Sequence, residues 1–304
     1  MKVLEVSKIN KGFGNLKAVD AISFSIDEGT TFGLLGPNGA GKTTTIRMIM
    51  NIIIPDAGKV TLLGDSNAKK TANHIGYLPE ERGIYRKMKV SEVLMFLTKL
   101  KSMDRSEAKK EMDYWLDRME LMDWKKKKVE ELSKGMQQKL QFIGTIIHKP
   151  KLLILDEPFM GLDPINTNLI KEIIMELKKV GTTIIFSTHL MENAEKLCDE
   201  IMLINKGKNI LSGKLKEIKE SFGKRNIVLK YDGNDDFLTR SDKILKFDNF
   251  GNYVEVQLKP EANPQEFLNE IVKSISIQKF EIVEPSLNDI FIESVQKVKN
   301  NPTG

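Results

Sequence analysis

The chain has 304 residues, of which 40% are hydrophobic and 29% are charged. This composition is typical of a protein that folds around an apolar core, and it excludes an intrinsically disordered chain. The net charge of +5 is compatible with a phosphate ligand, a nucleic acid or an anionic membrane surface, and alone selects none of them. The single cysteine, Cys198, excludes an internal disulfide bond and favours a cytosolic compartment.

The first half of the chain combines strand patterns with helical ones. Alternating or continuous apolar residues predict strands over Lys2–Ile9, Ile22–Ile26 and Thr30–Leu35. A helix is predicted over Lys42–Asn51, and apolar residues recur at helical spacing from about Ser91 to His148. No signal peptide is evident and no apolar run is long enough to cross a bilayer. We therefore expect a soluble chain that reaches a membrane only through a partner.

The second half begins with strand and helix in alternation, which predicts a parallel sheet with helices on its faces. The predicted strands are Leu152–Leu155, Thr182–Ser187 and Ile201–Ile204, and the predicted helix is Ile165–Val180. The composition changes near residue 221, and we expect one domain over residues 1–220 and a separate α+β domain over 221–304. The predicted elements of that second domain are strands at 226–231, 253–259 and 279–284 and helices after Pro264 and Pro285.

A glycine-rich segment, Gly36–Thr43, fits the pattern G-x-x-x-x-G-K-[ST] between an apolar strand and a helix. Its backbone N–H groups are expected to converge on phosphate oxygens, with the helix dipole adding to the attraction. Lys42 is predicted to reach the β- and γ-phosphates, and the Thr43 hydroxyl to bind Mg²⁺. The predicted nucleotide contacts of this phosphate loop are Gly36, Pro37, Asn38, Gly39, Ala40, Gly41, Lys42, Thr43 and Thr44.

Two carboxylates follow the apolar run Leu152–Leu155. Asp156 is expected at the carboxyl end of a parallel strand, where ligands of such sheets bind. There it would hold Mg²⁺ through water, and Glu157 would act as the general base that polarises the attacking water. An apolar run followed by Asp-Glu is a weak signal alone, and it becomes strong in combination with the phosphate loop.

Five segments in this order resemble the nucleotide-binding subunit of ABC transporters over about residues 1–215. These segments are Gly36–Thr43, Leu132–Gln137, Leu152–Glu157, Gly161–Pro164 and Ser187–Leu190. The C-terminal tail and Gly76–Tyr85 are similar to ABC-2 exporter ATPases of the NatA-like sodium-extrusion group. The resemblance implies a P-loop NTPase ABC cassette: a RecA-like parallel core, an antiparallel β subdomain, a helical subdomain over about residues 88–148, and a small C-terminal α+β domain.

The resemblance also assigns roles to residues outside the phosphate loop. Phe13 matches the aromatic residue that stacks on adenine, and His189 matches the switch histidine that contacts the γ-phosphate and the general base. Ser133 and Gly135 match the signature loop that closes on the γ-phosphate of another subunit. Asp163 matches the loop that links the two ATP sites of a dimer.

The sequence departs from the family pattern at four positions. Glu80 stands where glutamine is usual; it is a competent hard ligand for Mg²⁺, and we expect an altered metal dependence. In the signature loop, Lys134 and Met136 replace glycine and glutamine, so the polar contact near the nucleotide sugar is lost unless Gln137 supplies it. Met160 replaces serine, a mild change.

The resemblance implies ATP and Mg²⁺ as cofactors and two kinds of partner. One cassette per chain implies a homodimer, or a heterodimer with another ABC cassette, that encloses two ATP molecules. A separate transmembrane permease would use the motion for export, with the chain cytoplasmic and peripheral on the inner face of the membrane. The segment after Glu80 is in the position that faces the permease. Sodium, drug, peptide and lipid substrates remain open.

Two other functions compete with transport. A soluble ABC ATPase that acts on nucleic acid or ribosomes usually carries two cassettes or long coiled-coil insertions, and we expect no nucleic-acid partner. A regulatory module that binds ATP with little turnover is disfavoured by Glu157 and His189. The basic run Trp124–Lys128 is predicted to be a solvated loop.

Overall fold

The structure is a computed structural model that describes residues 1–65, 71–81, 83–223 and 226–300. It forms two compact units, Met1–Gly213 and Lys214–Gly304. The sequence placed this boundary at residues 220 and 221; the difference arises because the helix Leu215–Phe222 contacts the final helix of the second unit. Arg82 of the segment Gly76–Tyr85, and residues 224, 225 and 301–304 of the predicted second domain, lie outside the described residues.

The described part of the chain contains the following strands and helices. The strands are β1 (Lys2–Phe13), β2 (Leu16–Asp27), β3 (Thr31–Leu35), β4 (Ala57–Leu62), β5 (Ile75–Leu78), β6 (Leu152–Asp156), β7 (Thr183–Thr188), β8 (Glu200–Asn205), β9 (Lys208–Lys214), β10 (Asn226–Asp232), β11 (Ile244–Asn249), β12 (Val254–Leu258) and β13 (Ser276–Val283). The helices are α1 (Lys42–Ile49), α2 (Val90–Leu100), α3 (Arg105–Arg118), α4 (Lys134–Ile146), α5 (Pro164–Lys179), α6 (Met191–Leu197), α7 (Leu215–Phe222), α8 (Asp236–Arg240), α9 (Pro264–Ile271) and α10 (Leu287–Asn300).

The centre of the first unit is a six-stranded sheet in the order β5-β6-β7-β3-β8-β9. The pairs β5–β6, β6–β7, β7–β3 and β3–β8 are parallel, and every residue of β3, β6 and β7 is buried. This burial on both faces explains the continuous apolar runs in the sequence. Because parallel strands end at one edge of the sheet, the segments that follow β3, β6 and β7 meet there.

A second sheet of the first unit is antiparallel, in the order β2-β1-β4. Strands β1 and β2 run further than the sequence predicted, because they continue to a tight turn that places Phe13 opposite Leu16. Strand β4 was not predicted, since its first residues, Ala57-Gly58-Lys59, are exposed and lack an apolar face.

Three helices form the helical subdomain, α2, α3 and α4. Helix α2 contacts both α3 and α4, and side chains such as Leu94, Leu116 and Phe142 are fully buried. Helix α4 also contacts β5, which joins this subdomain to the parallel sheet. Within the described ranges, no helix has the length and apolarity needed to cross a membrane.

The second unit follows a β-α-β-β-α-β order from β10 to β13, and its antiparallel sheet has the order β11-β12-β10-β13. This is the ferredoxin-like topology. Apolar residues of β10 and β12 pack against Phe237 of α8 and Phe267 of α9. Strand β11 was not predicted, because it lies at the edge of the sheet and its exposed residues Lys246 and Asp248 interrupt the apolar pattern.

Candidate active site

The phosphate loop, Gly36–Thr43, connects β3 to α1 at the carboxyl edge of the parallel sheet. Gly36 has φ of 150°, and a Cβ atom there would lie 2.1 Å from the carbonyl oxygen of Ile204. Gly41 has φ of 108°, and its Cβ atom would lie 2.4 Å from the carbonyl oxygen of Ala18. Both glycines are therefore required by close backbone packing within the chain. The loop opens the N-terminus of α1, a favourable site for a phosphate group.

Lys42 folds back over this loop. Its Nζ donates hydrogen bonds to the carbonyl oxygens of Gly36 at 2.8 Å and Pro37 at 3.2 Å, and it lies 3.8 Å from Oε1 of Glu157. Burial lowers the pKa of Lys42, and the Glu157 carboxylate is the strongest influence in the opposite direction. Among the described residues, Glu157 is the only carboxylate within 4 Å of this buried ammonium group, so the group is well placed for a second anion.

Asp156 and Thr43 form an oxygen-rich corner beside the lysine. Oδ1 of Asp156 accepts a 2.6 Å hydrogen bond from Ser187, and Oδ2 is buried with no hydrogen-bond partner among the described residues. Burial raises the pKa of Asp156, and the Ser187 hydrogen bond opposes this shift. The Thr43 hydroxyl donates to Oε2 of Glu80 at 3.4 Å. An unpaired carboxylate oxygen, a hydroxyl and a second carboxylate are the hard ligands that Mg²⁺ prefers, so these residues fit that ion.

Glu157 is held by donors from the end of the neighbouring strand. Its Oε1 accepts hydrogen bonds from the backbone N–H of His189 at 2.9 Å and from His189 Nδ1 at 2.7 Å. Its Oε2 accepts one from the Thr188 hydroxyl at 3.2 Å. The backbone of Glu157 is left-handed, with φ of 49°, a conformation that is uncommon for residues other than glycine. These contacts fix the carboxylate beside the phosphate loop.

Sequence reasoning missed the parts played by Ser187 and Thr188. Both lie at the end of β7, where Ser187 pairs with Asp156 across the parallel sheet. Two hydroxyl residues at the end of an apolar strand were the available signal, because that strand was already predicted to end at the same edge as Asp156.

The signature loop, Leu132–Gln137, opens helix α4. Ser133 is the N-cap, and its hydroxyl accepts a 3.2 Å hydrogen bond from the backbone N–H of Met136. Gly135 has no positive φ, and the nearest atom to an added Cβ is Leu162 Cδ2 at 3.9 Å. The Gln137 side chain donates to two carbonyl oxygens of its own chain, those of Leu132 and Val129, so its amide N–H groups are engaged inside the chain.

Two buried side chains of α4 connect this helix to the loop after β6 and to the first turn of α5. Gln138 Nε2 donates to the carbonyl oxygen of Pro158 at 2.5 Å. Lys139 is 5% exposed, and its Nζ donates to Asn166 Oδ1 at 3.0 Å. Asn166 in turn donates to Asp163, the N-cap of α5, from both its backbone and its side chain. The backbone N–H of Asn166 is the main cause of a lowered pKa at Asp163.

The structure brings together Lys42, Thr43, Glu80, Asp156, Glu157 and His189. It leaves other predicted site residues elsewhere: Phe13 is 49% exposed at the tip of the β1–β2 hairpin, with Lys11 Nζ 5.8 Å from its ring centroid. Among the residues described, no hydrogen bond or ion pair joins Ser133 or Gly135 to the phosphate loop. The site thus has a compact core and a signature loop that does not contribute to it within one chain.

Comparison with known proteins places this geometry in a family. The ABC transporter family model matches residues 19–160, and the model for the C-terminal domain of DrrA1-3-like ATP-binding proteins matches residues 213–295. An uncharacterized ABC transporter ATP-binding protein of Bacillus subtilis, YhaQ, is 48% identical over 97% of this chain and 99% of its own length. The chain belongs to the ABC transporter ATP-binding proteins. As a member of this family, it is a nucleotide-binding ATPase subunit.

More distant relatives agree with this assignment. The linearmycin resistance ATP-binding protein LnrL of Bacillus subtilis is 33% identical over 95% of this chain and 97% of its own length. The ABC transporter ATP-binding protein NatA of the same organism is 37% identical over 68% of this chain and 85% of its own length. A solved ATP-binding subunit of an ABC transporter aligns with a TM-score of 0.69 and 29% identity over 73% of this chain and 93% of that chain. The predicted cassette fold, the C-terminal domain and the resemblance to NatA are confirmed.

Proposed function

We propose that this ABC transporter subunit closes as a dimer around two ATP molecules and drives a separate transmembrane permease that exports its substrate. The observation that carries the proposal is the difference between Gly135 and the glycines of the phosphate loop. Among the described residues, the nearest atom to a Cβ added at Gly135 is Leu162 Cδ2 at 3.9 Å, an ordinary contact that does not explain the bare backbone. Ser133 beside it is exposed at the start of α4. A loop of this kind is suited to approach the phosphates held by another subunit, with an identical or a homologous cassette as that partner.

The residues of the site have distinct roles in this reaction. Lys42 and the amides of the phosphate loop hold the phosphates, with the remaining loop residues shaping the cradle. Thr43, Asp156 and Glu80 would hold Mg²⁺, which neutralises charge on the phosphates when it is bound. These groups position the phosphates and neutralise their charge. Phosphoryl transfer depends mainly on these two effects.

Glu157 accepts a proton from the attacking water as general base. A carboxylate in that role contributes about 10²–10⁴-fold to the rate. His189 donates to Oε1 from Nδ1, which fixes the orientation of the carboxylate. In the proposed reaction its imidazole would contact the γ-phosphate. This arrangement supports ATP hydrolysis over a module that only binds ATP. Phe13, exposed at its hairpin tip, is available to stack on adenine.

A groove between β5 and the helical subdomain is the proposed contact with the permease. Its volume is about 230 Å³, and its lining includes Tyr77, Tyr85, Leu97, Leu140, Gly144 and His148. Tyr85 lies in the segment after Glu80 and packs edge-on against Phe96, with ring centroids 5.4 Å apart. A partly apolar groove close to the Mg²⁺ ligand Glu80 would link metal and nucleotide binding to the permease.

Export is proposed from the relatives, of which one is a Nod factor export ATP-binding protein of Rhizobium etli at 35% identity over 77% of this chain. The substrate would be chosen by the permease. On this proposal the chain is peripheral on the cytoplasmic face of the membrane. A nucleic-acid partner is not part of the proposal.

The replacement Glu157→Gln tests the dimer. It removes the general base and keeps the shape of the side chain, so we expect ATP turnover to fall at least about 100-fold while ATP and Mg²⁺ hold the protein as a dimer in analytical ultracentrifugation. Glu172→Gln, an exposed residue of α5, is the matched control and should behave as wild type. A Glu157→Gln protein that binds ATP and stays monomeric would refute the sandwich.

A further inference from the structure

Two basic segments that are distant in the sequence lie side by side in the structure. The backbone N–H of Val90 donates to the carbonyl oxygen of Lys127, and that of Val129 donates to Met88, each at 3.0 Å. Lys89 and Lys128 form an isolated antiparallel bridge. We call the resulting surface the basic strip; its members are Arg86, Lys87, Lys89, Lys125, Lys126, Lys127 and Lys128.

Part of the positive charge of the strip is not balanced. Three of its lysines have carboxylate partners: Lys125 with Asp113, Lys127 with Glu131 and Lys128 with Glu130, at 2.6, 3.9 and 3.5 Å. The last two pairs are solvent-exposed, and exposed pairs contribute little and exchange readily for another anion. Four side chains of the strip are exposed and form no ion pair with any described residue: Arg86, Lys87, Lys89 and Lys126.

An aromatic residue precedes each basic segment. Tyr85 is 54% exposed and also lines the groove proposed for the permease, so the strip continues from that groove. Trp124 is half-buried next to Lys125. Tyrosine and tryptophan beside clusters of lysine and arginine are typical of surfaces at the membrane interface.

We propose that the basic strip binds anionic lipid headgroups of the membrane that contains the permease. The proposal rests on the permease partnership of the proposed function, because in the cell that partner would hold this face next to a bilayer. Four unpaired cations in a cluster match the polybasic segments that recognise anionic leaflets. A single-stranded nucleic acid is disfavoured, since no exposed aromatic residues alternate with the basic ones to stack on successive bases.

Sedimentation with lipid vesicles tests the proposal. Purified full-length protein is mixed with vesicles of phosphatidylcholine alone, or with 30% phosphatidylglycerol, at low salt. We expect binding to the anionic vesicles to exceed binding to the neutral ones at least tenfold and to weaken as NaCl is added. A variant with Arg86, Lys87, Lys89 and Lys126 replaced by Gln should lose at least tenfold of that binding.

A control variant replaces four exposed lysines elsewhere by Gln: Lys59, Lys179, Lys216 and Lys273. It should bind anionic vesicles as wild type does. Equal binding by the strip variant and this control, or no preference for anionic lipid, would overturn the proposal. The proposal would also be overturned if the strip variant lost binding to a single-stranded RNA oligonucleotide while its binding to anionic vesicles stayed unchanged. The strip variant should retain ATP turnover, and adding Glu157→Gln to it should still give an ATP-dependent dimer. A loss of lipid binding alone is therefore distinguishable from a failure of the proposed transporter function.

Discussion

Two glycine-containing loops open helices in the first unit, and the reasons for their glycines differ. In the phosphate loop, a Cβ atom at Gly36 or Gly41 would collide with backbone carbonyl oxygens of the same chain. In the signature loop, Gly135 has ordinary backbone geometry and an open surrounding. The first loop is therefore specified by the fold of one chain. No such contact within the described part of the chain accounts for Gly135, which is why the proposed function assigns the signature loop to the nucleotide of a second subunit.

The largest expected effect comes from replacing one glycine in each loop. Gly41→Ala combines a strained φ with a backbone collision, so we expect the free energy of unfolding to fall by about 2–5 kcal/mol. Gly135→Ala should leave that free energy within about 1 kcal/mol of wild type, because alanine is favourable in a helix. Its ATP turnover should fall about tenfold or more, a loss of about 1.4 kcal/mol.

Urea denaturation of both variants and a phosphate-release assay make the comparison. A Gly135→Ala protein as destabilised as Gly41→Ala would show that the signature glycine serves its own chain. Full turnover in a stable Gly135→Ala protein would remove the steric argument for a second subunit.

The next largest effect is expected at the C-terminal end of α4. His148 follows α4, and its Nε2 lies 3.1 Å from the carbonyl oxygen of Ile75 in β5. Burial, aided by the positive charge of Lys101, lowers the pKa of His148 from 6.5 to about 4. Between these values the unfolded chain binds a proton that the folded chain resists. Stability should therefore fall as the pH drops from 6.5 to 4, by at most about 1.4 kcal/mol per pH unit from this group.

Replacing His148 by Gln tests this anchor. Gln retains a donor for Ile75 and cannot titrate, so the dependence of unfolding free energy on pH should flatten between 6.5 and 4. His74→Gln, at an exposed histidine, should retain most of the wild-type slope. Identical slopes in wild type and His148→Gln would show that this residue does not hold the end of the helix.

The smallest effect is expected at Glu80, where a carboxylate replaces the usual amide beside the phosphate loop. The Thr43 hydroxyl lies 3.4 Å from Glu80 Oε2. Glu80→Gln removes one negative charge from the proposed Mg²⁺ ligands, so the Mg²⁺ concentration for half-maximal turnover should rise about threefold to tenfold, or ~1 kcal/mol. Glu81→Gln, at a neighbour 3.7 Å from Arg47, is the control. An unchanged Mg²⁺ requirement in Glu80→Gln would refute a ligand role.

The sequence predicted the parallel core, because continuous apolar runs are local signals, and it placed the phosphate loop and Asp156 at the edge of that core, where they lie. The roles of these residues toward ATP and Mg²⁺ stay predictions. The sequence did not predict β4, β5, β9 or β11. Strand β11 is an edge strand that is largely exposed, and β5 has only four residues, so neither offers a clear period. The sequence also offered Gln137 as a substitute for the missing glutamine, whereas its amide is used within the chain.

The basic segment Trp124–Lys128 shows a different limit of sequence reasoning. Its sequence alone predicts a solvated loop, and its lysines are indeed largely exposed. Its pairing with Arg86–Lys89 depends on backbone hydrogen bonds between distant segments, which no local pattern reports.

The buried bonds of Gln138 and Lys139 have a mechanical consequence. They fasten the second turn of α4 to Pro158, which follows Glu157, and to Asn166, which donates to Asp163. We therefore expect a displacement at Pro158 or Asn166 to shift the start of α4 at Ser133, because directional hydrogen bonds resist sliding more than apolar contacts do. In the proposed dimer, the nucleotide bound at each phosphate loop would in this way influence the orientation of the signature loop that faces the other nucleotide.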